Sequence, residues 1–156
     1  MTDRWDEKHM GLARYLTSWG KDRSRNVACV IVGPNQEIRS TGYAGIPRGL
    51  DDTKEERHQR PAKYKWVEHA ERNAVYNAAR VGTPIGGCTI YVPWYPCVDC
   101  TKAIIQSGIS RLVATEPDWN DPIWGGDFKI TREMLEELGP SVIKVDFMPG
   151  SMGAPK

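Results

Sequence analysis

Apolar residues recur at helical spacing between positions 3 and 19, where Trp5, Met10, Ala13, Leu16 and Trp19 mark one face. Thr2 or Asp3 stands ahead of them as a cap, and Gly20 follows as a stop. The unbroken apolar run VACVIV (27–32), the turn GPNQ and the segment EIRSTGYAG predict a β-hairpin with an apolar first strand. Residues 43–65 carry Gly45, Pro47, Gly49 and Pro61 among dense charges and predict a loop, long enough to be functional or mobile. A helix follows over about 68–80, with Ala70, Ala74, Val75, Ala78 and Ala79 at its apolar positions. CTIYV (88–92) predicts a strand, and PCVDCTKAIIQSG a helix that opens at Pro96 and stops at Gly108. RLVAT (111–115) is a further strand, EPDWNDPIWGGD a loop, TREMLEELG a helix capped by Thr131, and VIKVDF (142–147) a last strand. Residues 148–156 are expected to form a flexible tail.

Helix, two strands, then alternating helices and strands imply an α/β fold with one central mixed five-stranded sheet and helices on both faces, three layers in all. The first two strands should pair antiparallel, and the later ones, joined by crossover helices, should run parallel. No repeat or second domain interrupts the pattern, so residues 1–147 are expected to form a single domain. Lys plus Arg number 21 against 20 Asp plus Glu, a balance that argues against a protein built to coat nucleic acid or a membrane. No run approaches the ~20 apolar residues of a membrane span, and MTDRWDEKHM does not read as a secretory leader. The cytoplasm is therefore the expected location. Of the four cysteines, the Cys-x-x-Cys pair Cys97 and Cys100 is there more readily metal-binding or redox-active than a structural disulfide.

Two titratable groups sit at the mouth of a helix that otherwise looks buried: His69 and Glu71, in EHAERNAVYNAAR. Cys97 and Cys100 begin the next predicted helix, 28 residues after His69. Neighbouring crossover helices start at the same sheet edge, so the imidazole and the two thiols should meet there. The cysteines lie one turn apart, and a helix N-terminus favours the thiolate. Three protein donors suit a catalytic zinc ion, which leaves a position for water and lowers its pKa to about 7, whereas a structural zinc usually takes four. Glu71 is placed to carry protons between water and substrate. Cys29 and Cys88 fall in or beside strands and are expected to be core residues.

His-x-Glu followed by Pro-Cys-x-x-Cys resembles the signature of zinc-dependent nucleobase deaminases. GYAGIPRGLDD (42–52) resembles the Gly-Tyr-Asn-Gly-Phe-Pro-x-Gly loop of deoxycytidylate deaminases. KYKWVEHAERNAVYNA and GGCTIYVPWYPCVDCTKAIIQSGISRLV resemble their zinc helix, third strand, cysteine helix and fourth strand, and the likeness runs from about 5 to 147. It implies a cytidine-deaminase-like fold and the hydrolysis of dCMP to dUMP and ammonia. It also implies zinc on His69, Cys97 and Cys100, with Glu71 as the catalytic proton carrier.

Further implications are a dCTP or dTTP effector bound with Mg2+, near Gly42, Tyr43, Gly45 and Arg48, and a homo-oligomer, a hexamer in the family. No nucleic-acid or membrane partner is expected. Asn26, Arg48, Ala70, Tyr95 and Trp119 are the candidate substrate contacts, with Trp94 a second aromatic wall beside Tyr95. Arg48, between Pro47 and Gly49, is the first candidate for a phosphate among Arg23, Arg25, Arg48, Arg57, Arg60, Lys63 and Lys65. Position 44 is alanine where the family loop has asparagine, which removes an amide from the base or sugar contacts. The readings left open are a modified pyrimidine nucleotide, free cytidine, a tRNA adenosine, or a non-catalytic nucleotide sensor of the same fold.

Overall fold

A computed structural model describes residues 3–150. Its five strands are β1 (Ala28–Val32), β2 (Ile38–Tyr43), β3 (Thr89–Val92), β4 (Arg111–Thr115) and β5 (Lys144–Met148), in the spatial order β2-β1-β3-β4-β5. β1 runs antiparallel to β2 and β3, whereas β3, β4 and β5 are mutually parallel. The helices are α1 (Arg4–Leu16), α2 (Lys63–Trp66), α3 (Ala70–Val81), α4 (Val98–Gln106) and α5 (Gly125–Leu138). α1 packs on one face of the sheet, and α3, α4 and α5 contribute to the core on the other. No helix among the described residues is long and apolar enough to cross a membrane.

β1 explains the unbroken apolar run: all five of its residues are buried. Ala28, Val30 and Val32 pack with Met10, Ala13 and Leu16 of α1, while Cys29 and Ile31 pack with Ala70, Ala74 and Ala78 of α3. A strand covered on both faces has no reason to alternate. Cys29 and Cys88 are fully buried core residues, as expected. Asp3 caps α1 by accepting from the Trp5 and Asp6 amides, and Asp6 returns the bond to the Asp3 amide. Thr2 and residues 151–156, most of the predicted tail, lie outside the described residues, and Met148 is the last residue of β5.

The small residues of α3 set its distance from the sheet. A Cβ on Gly42 of β2 would stand 2.3 Å from the Ala70 carbonyl oxygen and 2.4 Å from the Ala74 nitrogen. Only glycine allows that approach, and the approach fixes where the first turn of α3 meets the sheet edge.

α5 differs from expectation. It begins at Gly125, not at Thr131, so Thr131 lies inside the helix, fully buried. Its hydroxyl is 3.1 Å from the Thr101 hydroxyl and 3.2 Å from the Pro96 carbonyl oxygen, which accepts from it. Gly125 and Gly126 read as breakers in the sequence, but a Cβ on Gly125 would lie 2.9 Å from the Trp119 carbonyl oxygen. The glycine is there for close packing of the helix start.

α1 is tied to the sheet by a buried polar cluster. Arg111 of β4 grips both Asp6 carboxylate oxygens at 2.8 Å and donates its Nε–H to Asp146 Oδ2 at 2.7 Å. The Tyr91 hydroxyl donates to Asp6 at 2.7 Å. Burial alone would raise the Asp6 pKa, but the bonds from Arg111, Tyr91 and the Asp3 amide outweigh it and hold the carboxyl below its usual value. A depressed pKa means that the unfolded chain binds the proton more readily, so the stabilisation is complete above the unfolded value of about 3.9 and is lost as pH falls through the folded one. Asp6→Asn should therefore cost about 3–5 kcal/mol at pH 7, since it breaks a buried pair, and lower Tm by roughly 6–20 °C. It should also flatten the dependence of Tm on pH below about 4. Thermal melts of both proteins at pH 7 and pH 3 check this; an unchanged acid slope in the variant would contradict it.

Candidate active site

Three helices on one face begin at one edge of the sheet, and the residues that cap their N-termini converge there: His69 for α3, Cys97 for α4 and Trp124 for α5. The His69 Nδ1 lies 3.4 Å from the Cys97 Sγ and 3.5 Å from the Cys100 Sγ. All three donor atoms fall within 4.8 Å of one another, the only such cluster of metal-binding groups among the described residues. The Trp124 ring stands edge-on to the imidazole, 6.2 Å between centroids. The His69 amide donates to Glu68 Oε1 at 3.0 Å; the same oxygen accepts from Arg72 Nε.

The chemistry of this donor set fits zinc. A hydrogen bond from Cys100 and then one from His69 pull the Cys97 pKa down to about 4, although burial opposes the shift. That same bond with Cys97, and then burial, push the Cys100 thiol up. His69 is drawn toward its protonated form, first by the Cys97 bond, with burial opposing. Two thiol-type donors and an imidazole crowded together in this way are competing for protons that a divalent cation would displace. Two sulfurs and one nitrogen make the three-donor set of a catalytic zinc site.

Glu71 lies in the wall of the same cavity, 3% exposed, and burial pushes its carboxyl above the usual value, with the His69 charge opposing. Val27, Val67, Tyr64, Trp94 and Trp124 supply apolar walls, and Ala70 and Ala44 line them. Ala44 is a buried lining residue and offers no side-chain hydrogen-bonding group there. Asp22, Arg25, Arg60 and Lys63 complete the lining.

Not every expected contact comes to this cavity. Tyr95 and Trp119 line a separate hollow between α5 and β5, with Phe147 and Arg132. Trp94 and Tyr95 are consecutive in the bend and coil that follow β3, and that backbone sends them to different places: Trp94 lines the His69 cavity, while Tyr95 packs edge-on against Phe128 at 5.6 Å. The Asn26 amide is engaged in its own turn, accepting from the Asp22 nitrogen at 2.9 Å and donating to the Asp22 carbonyl at 3.2 Å. Gly42 and Tyr43 end β2, and Gly45 bridges to Glu68. That bridge turns the following loop across the outer side of α3, where Arg48 donates to Asn77 Oδ1 at 2.7 Å. Arg23 pairs with Glu55, and Arg57 covers Trp66.

Trp124, Tyr64 and Val67 were not singled out by sequence reasoning. Trp124 had a usable signal: extending the helix upstream through Phe128, Thr131 and Leu135 would have put it at the start of α5, level with the other two helix starts.

The family model described as "Cytidine and deoxycytidylate deaminase zinc-binding region" matches residues 3–116. An "Uncharacterized deaminase in luxG 3'region" of Aliivibrio fischeri is 33% identical over 151 residues, 96% of this chain and 97% of the relative. The "Deoxycytidylate deaminase" of Homo sapiens is 33% identical over 122 residues, 75% of this chain and 67% of the relative. Among solved structures, the dCMP deaminase of cyanophage S-TIM5 in complex with dCMP and dUMP superposes with a TM-score of 0.73 at 25% identity, covering 95% of this chain and 99% of that one.

Proposed function

The chain belongs to the cytidine and deoxycytidylate deaminase zinc-binding family, and from that premise we propose that it is a zinc-dependent hydrolase converting dCMP and water to dUMP and ammonia. One observation carries the reading: three zinc donors within 4.8 Å of one another, two of which, His69 and Cys97, line a cavity that the buried Glu71 also lines.

His69, Cys97 and Cys100 would hold the ion. When bound, zinc supplies a Lewis acid that makes water nucleophilic near neutral pH. Glu71 would take one proton of the attacking water and give it to the ring nitrogen of the base, where it stays. It would then take the second, from the hydroxyl on the ring carbon as that carbon becomes a carbonyl, and give it to the departing amine, which leaves as ammonia. The aromatic walls, Trp94 and Trp124, enclose the base and exclude bulk water. Ala70, beside Glu71 in that wall, gives the ring a flat apolar contact.

Assembly into a homo-oligomer, a hexamer by family resemblance, is supported by exposed aromatic surface such as Trp19 packed on Tyr43. A dCTP or dTTP effector with Mg2+ would use the segment from Gly42 to Arg48, which leads from the active edge to the outer side of α3. A 5-substituted pyrimidine is a second reading, favoured by the methyl group of Ala44 in the cavity wall.

Turnover of dCMP, 5-methyl-dCMP and deoxycytidine, followed by ammonia release and chromatography, separates these readings. The expected result is one dUMP and one ammonia per dCMP, with deoxycytidine at least about tenfold poorer in kcat/KM because its phosphate contact is missing. Equal rates for nucleoside and nucleotide would contradict a nucleotide enzyme.

A further inference from the structure

The active cavity carries more positive charge than its own chain neutralises. Lys63 is engaged: its ammonium lies 2.9 Å from Asp22 Oδ2 and 3.0 Å from Oδ1. Arg25 and Arg60 line the same cavity. The Arg25 guanidinium lies over the Trp94 ring, 3.6 Å from its centroid, and its Nε is buried without a hydrogen-bond partner. The exposed Arg60 side chain has no hydrogen bond or ion pair among the described residues. Burial opposes the positive charge on Arg25 most; Asp121 supports that charge, Arg60 opposes it by less, and Asp22 supports it by less again. A buried donor without an acceptor is costly, and two like charges in one wall add to that cost. Together they mark a place completed by an anion.

We propose that Arg25 and Arg60 form the subsite for the substrate's 5′-phosphate. The proposal rests on the nucleotide reading above and names the residues that would select nucleotide over nucleoside. Arginine suits this role because its planar fork presents two parallel donors to phosphate oxygens and stacks on an aromatic ring, which here is Trp94. Trp94 thereby joins the two halves of the cavity, walling the base space and holding the Arg25 fork in position. Arg48, bonded to Asn77 outside the cavity, does not take part.

The test compares zinc-loaded wild type with Arg25→Gln, Arg25→Lys and Arg60→Gln. Two readouts are taken: kcat/KM for dCMP and deoxycytidine, and calorimetric affinity for dUMP and deoxyuridine. Arg25→Gln should lower kcat/KM for dCMP by about 10- to 150-fold and weaken dUMP binding by a similar factor. The values for deoxycytidine and deoxyuridine should change far less. Arg25→Lys should recover part of the loss, since it restores the charge without the fork. Arg60→Gln alters an exposed side chain, so the fold should be unaffected, and it should cost dCMP about tenfold.

If wild type deaminates dCMP while both glutamine variants keep its full preference over deoxycytidine, the subsite is wrong and the nucleotide reading stands. Equal losses for nucleotide and nucleoside in Arg25→Gln would reduce Arg25 to a support for Trp94 and overturn the subsite. If wild type converts no dCMP, the nucleotide reading fails and dUMP binding decides alone. Phosphate-dependent affinity that Arg25→Gln abolishes then upholds the subsite, and equal affinity for dUMP and deoxyuridine overturns it.

Discussion

Replacing Glu71 with alanine should leave the fold and zinc uptake intact while dCMP turnover falls by about 10²–10⁴-fold or more. The side chain is 3% exposed in the cavity wall, two residues beyond His69 and outside the donor cluster. It is therefore placed to move protons without being needed to hold the metal. Each transfer through a positioned group is worth roughly 10²–10⁴-fold, and in the proposed reaction this carboxylate would serve the water, the ring nitrogen and the amine in turn. Alanine is the best helix former, so the first turn of α3 should tolerate it. Glu71→Gln should match the loss, because it keeps the shape and removes the exchangeable proton. Zinc content, thermal melting and kcat measured on one preparation check this. Retention of more than about a tenth of wild-type kcat would assign proton transfer to another group.

Cys100→Ala should abolish zinc binding and, with it, turnover. Cys100 is fully buried, and its sulfur is 3.5 Å from the His69 Nδ1. Three donors are few for a zinc site, so removing one leaves too little to retain the ion. The ion would also link the start of α3 to the start of α4, so its loss should lower Tm by as much as a chelator lowers it in wild type. Cys88→Ala is the control: Cys88 is equally buried but lies in the core, outside the cluster, so that variant should keep its zinc. Metal analysis of the two variants decides the matter. Stoichiometric zinc in Cys100→Ala would remove that residue from the site.

The donor trio was legible in the sequence because the helix starts of consecutive crossovers share a sheet edge, whatever lies between them. β1 was legible because a strand buried on both faces is apolar throughout. The beginning of α5 was not, because Gly125 and Gly126 resemble a break when their packing partners are unknown; losing that helix start also hid Trp124. The place of Arg48 was hidden for a related reason. Periodicity says nothing about the path of a loop, and the bridge from Gly45 to Glu68 carries Arg48 across α3 and away from the cavity. Arg25 had no distinguishing mark in the sequence, since its buried, unpartnered Nε arises from tertiary packing on Trp94. Tyr95 and Trp94 could not be told apart until the backbone between β3 and α4 decided which side each ring faces.

The most direct test of the central claim is a zinc titration of metal-stripped protein assayed with dCMP. Formation of dUMP should rise in proportion to added zinc and break at one ion per chain, and the same titration of Glu71→Ala should bind the ion and stay inactive. Formation of dUMP at full rate before any zinc is added, or a fully loaded wild type that leaves dCMP unchanged, would contradict the account.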